Sequence, residues 1–142
     1  MPRTGAKEID LSQIWLFAAS SARDLRKVRQ SLDEIHVDAG TVLCEEGSTG
    51  HEFFLIVSGK AAVKRKGRKV TTLGPGTGFG ELALLDRQPR SATVVAETDM
   101  DLLVLEQRHF LGLLDTMPTL ARKLLAAMAS RLREADKLAF HG

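Results

Sequence analysis

The sequence has one cysteine, Cys44, so it forms no internal disulfide and suits a reducing cytosol. A small buried hydrophobe is the expected role of that residue. No apolar run approaches the roughly 18 residues of a membrane span. The nearest thing to a leader is Ile14-Trp15-Leu16-Phe17-Ala18-Ala19, with Arg3 and Lys7 before it and a cleavage-like Ala18-Ala19-Ser20-Ser21-Ala22 overlapping its end. That run is too short for a signal peptide, and Asp10, Ser12 and Gln13 crowd it. A cytoplasmic protein with no membrane partner is expected. A large charge of one sign is also missing. The formal net charge of +2 is too small to argue for nucleic acid or an anionic membrane by itself. His36, His51, His109 and His141 are scattered without metal-ligand spacing, so no metal is expected. Ser91 has no histidine placed to make a triad with it. Internal repeats and low-complexity stretches are absent as well. With no catalytic residues and no cofactor expected, the chain reads as a binding module and not an enzyme.

What is present suits one folded domain. At 142 residues, 44% of them hydrophobic and 27% charged, the chain is long enough for one sizeable core. Residues 1–33 read as N-terminal helices: Asp10 or Ser12 caps a first one carrying Ile14, Trp15 and Phe17, and Ser20-Ser21 precede a second with Leu25, Val28 and Leu32 at helical spacing. Residues 34–106 change to period two. Ile35 to Val37, Thr41 to Cys44, Phe53 to Val57, Ala61 to Val63, Val70 to Leu73, Ala92 to Ala96 and Met100 to Leu105 read as strands. Ser58-Gly59-Lys60 and Lys66-Gly67-Arg68 read as hairpin turns. Many short strands with close turns predict an antiparallel sandwich or jelly roll. Residues 107–142 return to helix, with Pro118 as the first residue of a longer last one. Its stripe is Leu120, Leu124, Leu125, Met128, Leu132, Ala135 and Leu138. The basic run Lys60, Lys64, Arg65, Lys66, Arg68 and Lys69 lacks the interleaved aromatics that base stacking needs. It reads as a solvated hairpin that protects edge strands.

The chemistry concentrates between Gly78 and Val95. Gly78 and Gly80 allow close backbone approach, and Glu81-Leu82-Ala83-Leu84-Leu85 is a short helical run with an acid at its front. The first N–H groups of so short a run stay free, and such ends attract phosphate. Pro89 closes the run, Arg90 offers a planar five-donor fork, and Ser91-Ala92-Thr93-Val94-Val95 turns strand-like. A tight turn in which Glu81 and Arg90 merely pair with each other is the plainer alternative.

These residues resemble the phosphate-binding cassette of the cyclic nucleotide-binding domain family. The match runs through Phe79-Gly80-Glu81-Leu82-Ala83-Leu84-Leu85 and Pro89-Arg90-Ser91-Ala92-Thr93-Val94, with residues 78–92 as the cassette. The spacing of Gly47, Gly59 and the cassette is similar to the family's small β-roll, so the resemblance covers nearly the whole chain, residues 1–142, as one domain. It implies an α+β fold: an antiparallel β-roll, jelly-roll-like, flanked by N-terminal helices and a C-terminal helix pair. The implied activity is reversible binding of a 3′,5′-cyclic nucleotide, cyclic AMP first and cyclic GMP second, as a regulatory sensor that repositions its C-terminal helix. By the resemblance, Arg90, Ser91, Ala92, Leu82 and Ala83 take the phosphate, and Glu81 and Gly80 the ribose. Val63, Leu73, Arg131 and Ala135 fall at the base. An effector protein or a second copy of the chain is the macromolecular partner to expect; nucleic acid is not. Relatives attach the domain to an effector, and this sequence stops about one helix after the β-roll. The competing reading is a β-roll interaction or nucleic-acid-binding protein that no longer binds cyclic nucleotide.

Overall fold

The computed structural model describes residues 9–141. Arg3 and Lys7 of the leader-like stretch, the rest of residues 1–8, Gly142 and the side chains of residues 139–141, His141 among them, lie outside the described residues. The N-terminal segment differs from its predicted first helix. It forms two 3-10 turns, Leu11–Gln13 and Trp15–Phe17, the first capped by Asp10, whose carboxylate accepts from the Ser12 N–H at 2.9 Å. Leu11, Ile14, Leu16 and Phe17 are buried, leaving Trp15 half-exposed. Helix α1, Ala22–Gln30, follows with Ser21 as its N-cap, accepting from the Asp24 N–H.

Eight strands make two four-stranded antiparallel sheets. Strands β1 (Asp33–Val37), β8 (Met100–Glu106), β3 (Glu52–Ser58) and β6 (Gly78–Phe79) pair in that order in one sheet. Strands β2 (Val42–Cys44), β7 (Thr93–Ala96), β4 (Ala61–Arg65) and β5 (Arg68–Leu73) make the other. The β4–β5 hairpin is as read, turning through Lys66 and Gly67 at positive φ. The Ser58-Gly59-Lys60 turn is not a hairpin. Its flanking strands β3 and β4 lie in different sheets, so the turn carries the chain across the sandwich. The turn chemistry was right, with Gly59 at φ +94, but local sequence does not say which partner a strand takes.

Strands β3 and β8 are buried on both faces, which is why they read as nearly continuous apolar runs. Phe54, Ile56, Met100, Leu102 and Val104 face the second sheet and pack with Cys44, Ala61, Phe79, Val94 and Ala96. Phe53, Leu55, Leu103 and Leu105 face the other way, against Leu11, Leu16, Phe17, Val28, Leu84, Phe110, Leu120 and Leu124. Each such side chain contributes about 1.5–3 kcal/mol by leaving water, so both layers are anchored on one sheet.

Helix α2, Gln107–Thr116, follows β8 directly, and Phe110 packs edge-on to Phe17 at 6.3 Å. Helix α3, Pro118–His141, begins at the proline as expected. Thr119 ties its start to α1 by donating to the buried Asp24 at 3.2 Å. The apolar stripe is only half used. Of its members Leu120 and Leu124 are buried, whereas Leu125 is 64%, Leu132 66% and Leu138 75% exposed. Among the described residues, no helix is long and apolar enough to cross a membrane.

Candidate functional site

The cassette begins at β6, whose Phe79 pairs with Phe54 and stacks on its ring at 5.1 Å. Gly80 then adopts φ +80, a conformation that β-carbons strain. The predicted short helix is a single 3-10 turn, Glu81–Leu84. The Ala83 N–H is taken by the Gly80 carbonyl at 3.1 Å. The Glu81 and Leu82 amides precede that pattern and have no partner within the turn.

The far end of the cassette is pinned to the loop before β3. Arg90 N–H donates to the Ser48 carbonyl at 2.8 Å, and the Gly47 N–H to the Arg90 carbonyl at 2.9 Å. Thr49 and Pro89 form an isolated bridge in the same place. The Arg90 side chain is therefore aimed by its own backbone. Its Nη2 donates to the Glu52 carbonyl at 2.8 Å, and Nη1 lies 3.4 Å from the Gly80 carbonyl. A β-carbon at Gly50 would come within 2.0 Å of Arg90 Nε, and one at Gly80 within 2.4 Å of Nη1. Two glycines thus leave the slot the guanidinium occupies. Gly50 and Glu52 had no assigned role in the sequence. Nothing local to the cassette points to them.

Two recesses meet at Arg90. One, of about 230 Å³, is lined by Gly80, Glu81, Leu82, Ala83, Asp86, Gln88, Pro89, Arg90 and Ser91. The other, of about 180 Å³, is lined by Cys44, Val63, Arg65, Leu73, Phe79, Gly80, Arg90, Ser91, Ala92 and Val94. The residues assigned to phosphate and ribose, together with Val63 and Leu73, thus converge from strands β4 and β5, the 3-10 turn and the segment just before β7. Arg65, which the sequence placed on a solvated hairpin, lines the second recess. It shares a strand face with Val63, two residues away, a period-two relation visible in sequence. Burial raises the Cys44 thiol pKa, with the Arg90 charge opposing the shift, so the thiol is a protonated part of the wall. Glu81 and Arg90 do not pair among the described residues, which removes the plain-turn alternative.

Glu81 is engaged elsewhere. The Trp15 indole N–H donates to Glu81 Oε1 at 3.1 Å, and the Arg131 guanidinium lies 4.8 Å above the centre of the Trp15 ring. Arg131 and Ala135 line a separate apolar groove of about 660 Å³, with Trp15, Ala18, Ala19, Ala127 and Leu138 among its walls. The structure therefore does not bring these two residues to Val63 and Leu73. In a different place the fold gathers His36, Asp38 and Asp99, with candidate ligand atoms within 4.8 Å of one another. All three are exposed, and His36 Nδ1 already meets Asp101 at 2.7 Å.

Residues 34–117 match the profile of the family described as "Cyclic nucleotide-binding domain". The chain belongs to the cyclic nucleotide-binding domain family. It is 40% identical over 102 residues to a cyclic AMP receptor protein of Thermus thermophilus, covering 68% of this chain and 47% of that protein. It is 36% identical over 118 residues to a cAMP-dependent protein kinase regulatory subunit of Aspergillus fumigatus, covering 82% and 29%. The chain therefore spans less than half the length of these two relatives. Among solved structures, the N-terminal domain of a transcriptional regulator from Streptomyces coelicolor matches at 33% identity with a TM-score of 0.83, covering 91% of this chain and 94% of that one. The two antiparallel sheets and three helices are those of the family's β-roll.

Proposed function

We propose that the chain reversibly binds a 3′,5′-cyclic nucleotide, cyclic AMP in preference to cyclic GMP, as a regulatory sensor without catalytic activity. The observation that carries this is the slot of Arg90. Its guanidinium is set by two carbonyls between two glycines, at the point where both recesses meet. A planar cation held there suits a singly charged cyclic phosphate. The Leu82, Ala83, Ser91 and Ala92 positions complete that contact. Glu81 takes the ribose 2′-hydroxyl beside Gly80, and Val63 and Leu73 cover the base. Contact of Arg131 and Ala135 with the base requires α3 to leave the Trp15 groove and close over the site. The relatives named for cyclic AMP support the choice of ligand, as does a 32% identical structure with a TM-score of 0.70, a Toxoplasma gondii PKA regulatory domain crystallised with cAMP.

Titration calorimetry with cyclic AMP, cyclic GMP and 5′-AMP tests the reading. Cyclic AMP should bind most tightly, cyclic GMP within about 1–2 kcal/mol of it, and the open 5′-monophosphate most weakly. If none of the three binds a folded protein, the reading gives way to the β-roll interaction module. In this proposal the chain works in the cytoplasm and passes its state to an effector protein or to a second copy of itself.

A further inference from the structure

Glu81 carries an unusual pair of obligations. It lines the Arg90 recess, yet its carboxylate accepts from an indole in the N-terminal layer, and no ion pair joins it to Arg90 among the described residues. At 3.1 Å the bond from Trp15 sits at the long end of the range for an N–H donor. Trp15 is only half-buried, so its N–H can exchange Glu81 for water without being stranded. The same ring bears the Arg131 guanidinium on its face and forms one wall of the groove beneath α3. One indole therefore touches both the acid at the sugar position and the helix expected to respond.

We infer that Trp15 is a latch. It holds the Glu81 carboxylate on the indole and seats α3 through Arg131, and a ligand hydroxyl releases both. The inference rests on the reading of Glu81 as the ribose acid. A hydroxyl donor arriving beside Arg90 draws the carboxylate toward the recess and stretches the indole bond. Trp15 is then free to shift, and Arg131 loses the surface it lies on. The 2′-hydroxyl becomes the part of the ligand that triggers the response, while the phosphate supplies affinity. Arg131 acts through Trp15 first and reaches the base only afterwards.

Trp15 is the only tryptophan and the chain has no tyrosine, so intrinsic fluorescence reports on this residue alone. Cyclic AMP and its 2′-deoxy analogue are titrated into the wild type and Trp15→Phe, following binding by calorimetry and, in the wild type, emission. Trp15→Phe keeps an aromatic face for Arg131 and removes the N–H donor. Cyclic AMP should shift the emission and the deoxy analogue should not. The variant should bind cyclic AMP about threefold to tenfold more tightly, the worth of one hydrogen bond no longer displaced, and bind the deoxy analogue as before. A merely structural role would weaken both ligands together, and that result overturns the latch. So does cyclic AMP binding without any change in emission.

A second arm needs no nucleotide. Trp15→Phe and Glu81→Ala should each speed hydrogen exchange in residues 124–138, and the double variant should add nothing further. Additive effects overturn the latch even if cyclic AMP binds. Non-additive effects in a protein that binds no nucleotide uphold the link and remove the functional reading instead.

Discussion

Arg90 and Arg131 are two arginines in opposite surroundings. Arg90 is held at both ends of its fork by carbonyls, in a slot that two glycines leave open. Arg131 is exposed and rests on an aromatic face, above a groove walled by alanines. The first arrangement is specific, because the two carbonyls and two glycines that set the guanidinium are all backbone positions. The second is a single soft contact that a small displacement removes. Under the proposed function the contrast separates tasks: the fixed cation would supply affinity, and the loosely held one suits an element that moves.

The sharpest way to break this contrast is to remove the fixed cation. Arg90→Ala should leave melting little changed and weaken cyclic AMP binding by on the order of 2–5 kcal/mol, because one partner of a part-buried charge pair is gone. Arg90→Lys should fare almost as badly, since a point charge does not reproduce the fork. Near-normal affinity by calorimetry in a folded Arg90→Ala protein would take Arg90 out of the site.

Gly50→Ala probes the slot without touching the charge. The three atoms that a new β-carbon would meet first all belong to the end of the Arg90 side chain, and Gly50 has no positive φ. Stability should therefore hold within about 1 kcal/mol while affinity falls by roughly tenfold, as the guanidinium is pushed aside. Unchanged affinity would mean that the slot is not what aims Arg90.

The soft side should give a smaller and different effect. Cutting the chain after Met128 removes Arg131 and the exposed half of α3, so binding should weaken by about 1–3 kcal/mol without disappearing. In the intact protein, saturating cyclic AMP should slow exchange in residues 124–138 more than in β3. Equal exchange with and without ligand would make α3 a fixed support. The smallest change expected is in base choice. Ser91→Thr adds one methyl and moves a hydroxyl at the mouth of both recesses, and should improve cyclic GMP against cyclic AMP by about 1 kcal/mol in competition binding.

The cassette was legible because its chemistry lies in one run: glycine, acid, proline and arginine carry their roles in their residue types. Strands β3 and β8 were legible as strands, but the period-two reading implies one buried face, and their unbroken apolar runs were the local signal for two. What escaped reading depends on chain segments far apart. Trp15 meets Glu81 across 66 positions, and the Arg90 slot needs Gly50 and the Glu52 carbonyl from another loop. Gly59 looked like a hairpin glycine. Its φ, and the 2.4 Å that would separate a β-carbon from the Asp99 carbonyl, belong to a crossing between sheets. The stripe on α3 suggested burial along its length, but apolar periodicity does not tell where the surface beneath a helix ends.

The double-sided burial of β3 and β8 also decides how a disturbance travels. Together they form a partition, with one core against its inner side and another against its outer side. Strands paired in the middle of a sheet and packed on both faces have little room to shift singly, so they carry strain as one stiff body. The residue that both lines an Arg90 recess and bonds to the helical layer, Glu81, lies at the rim. The rim on that side is β6, only Gly78 and Phe79 long, and the chain leaves it through Gly80 directly into Glu81. A strand two residues long makes a low doorsill in an otherwise closed wall, and Glu81 stands on it.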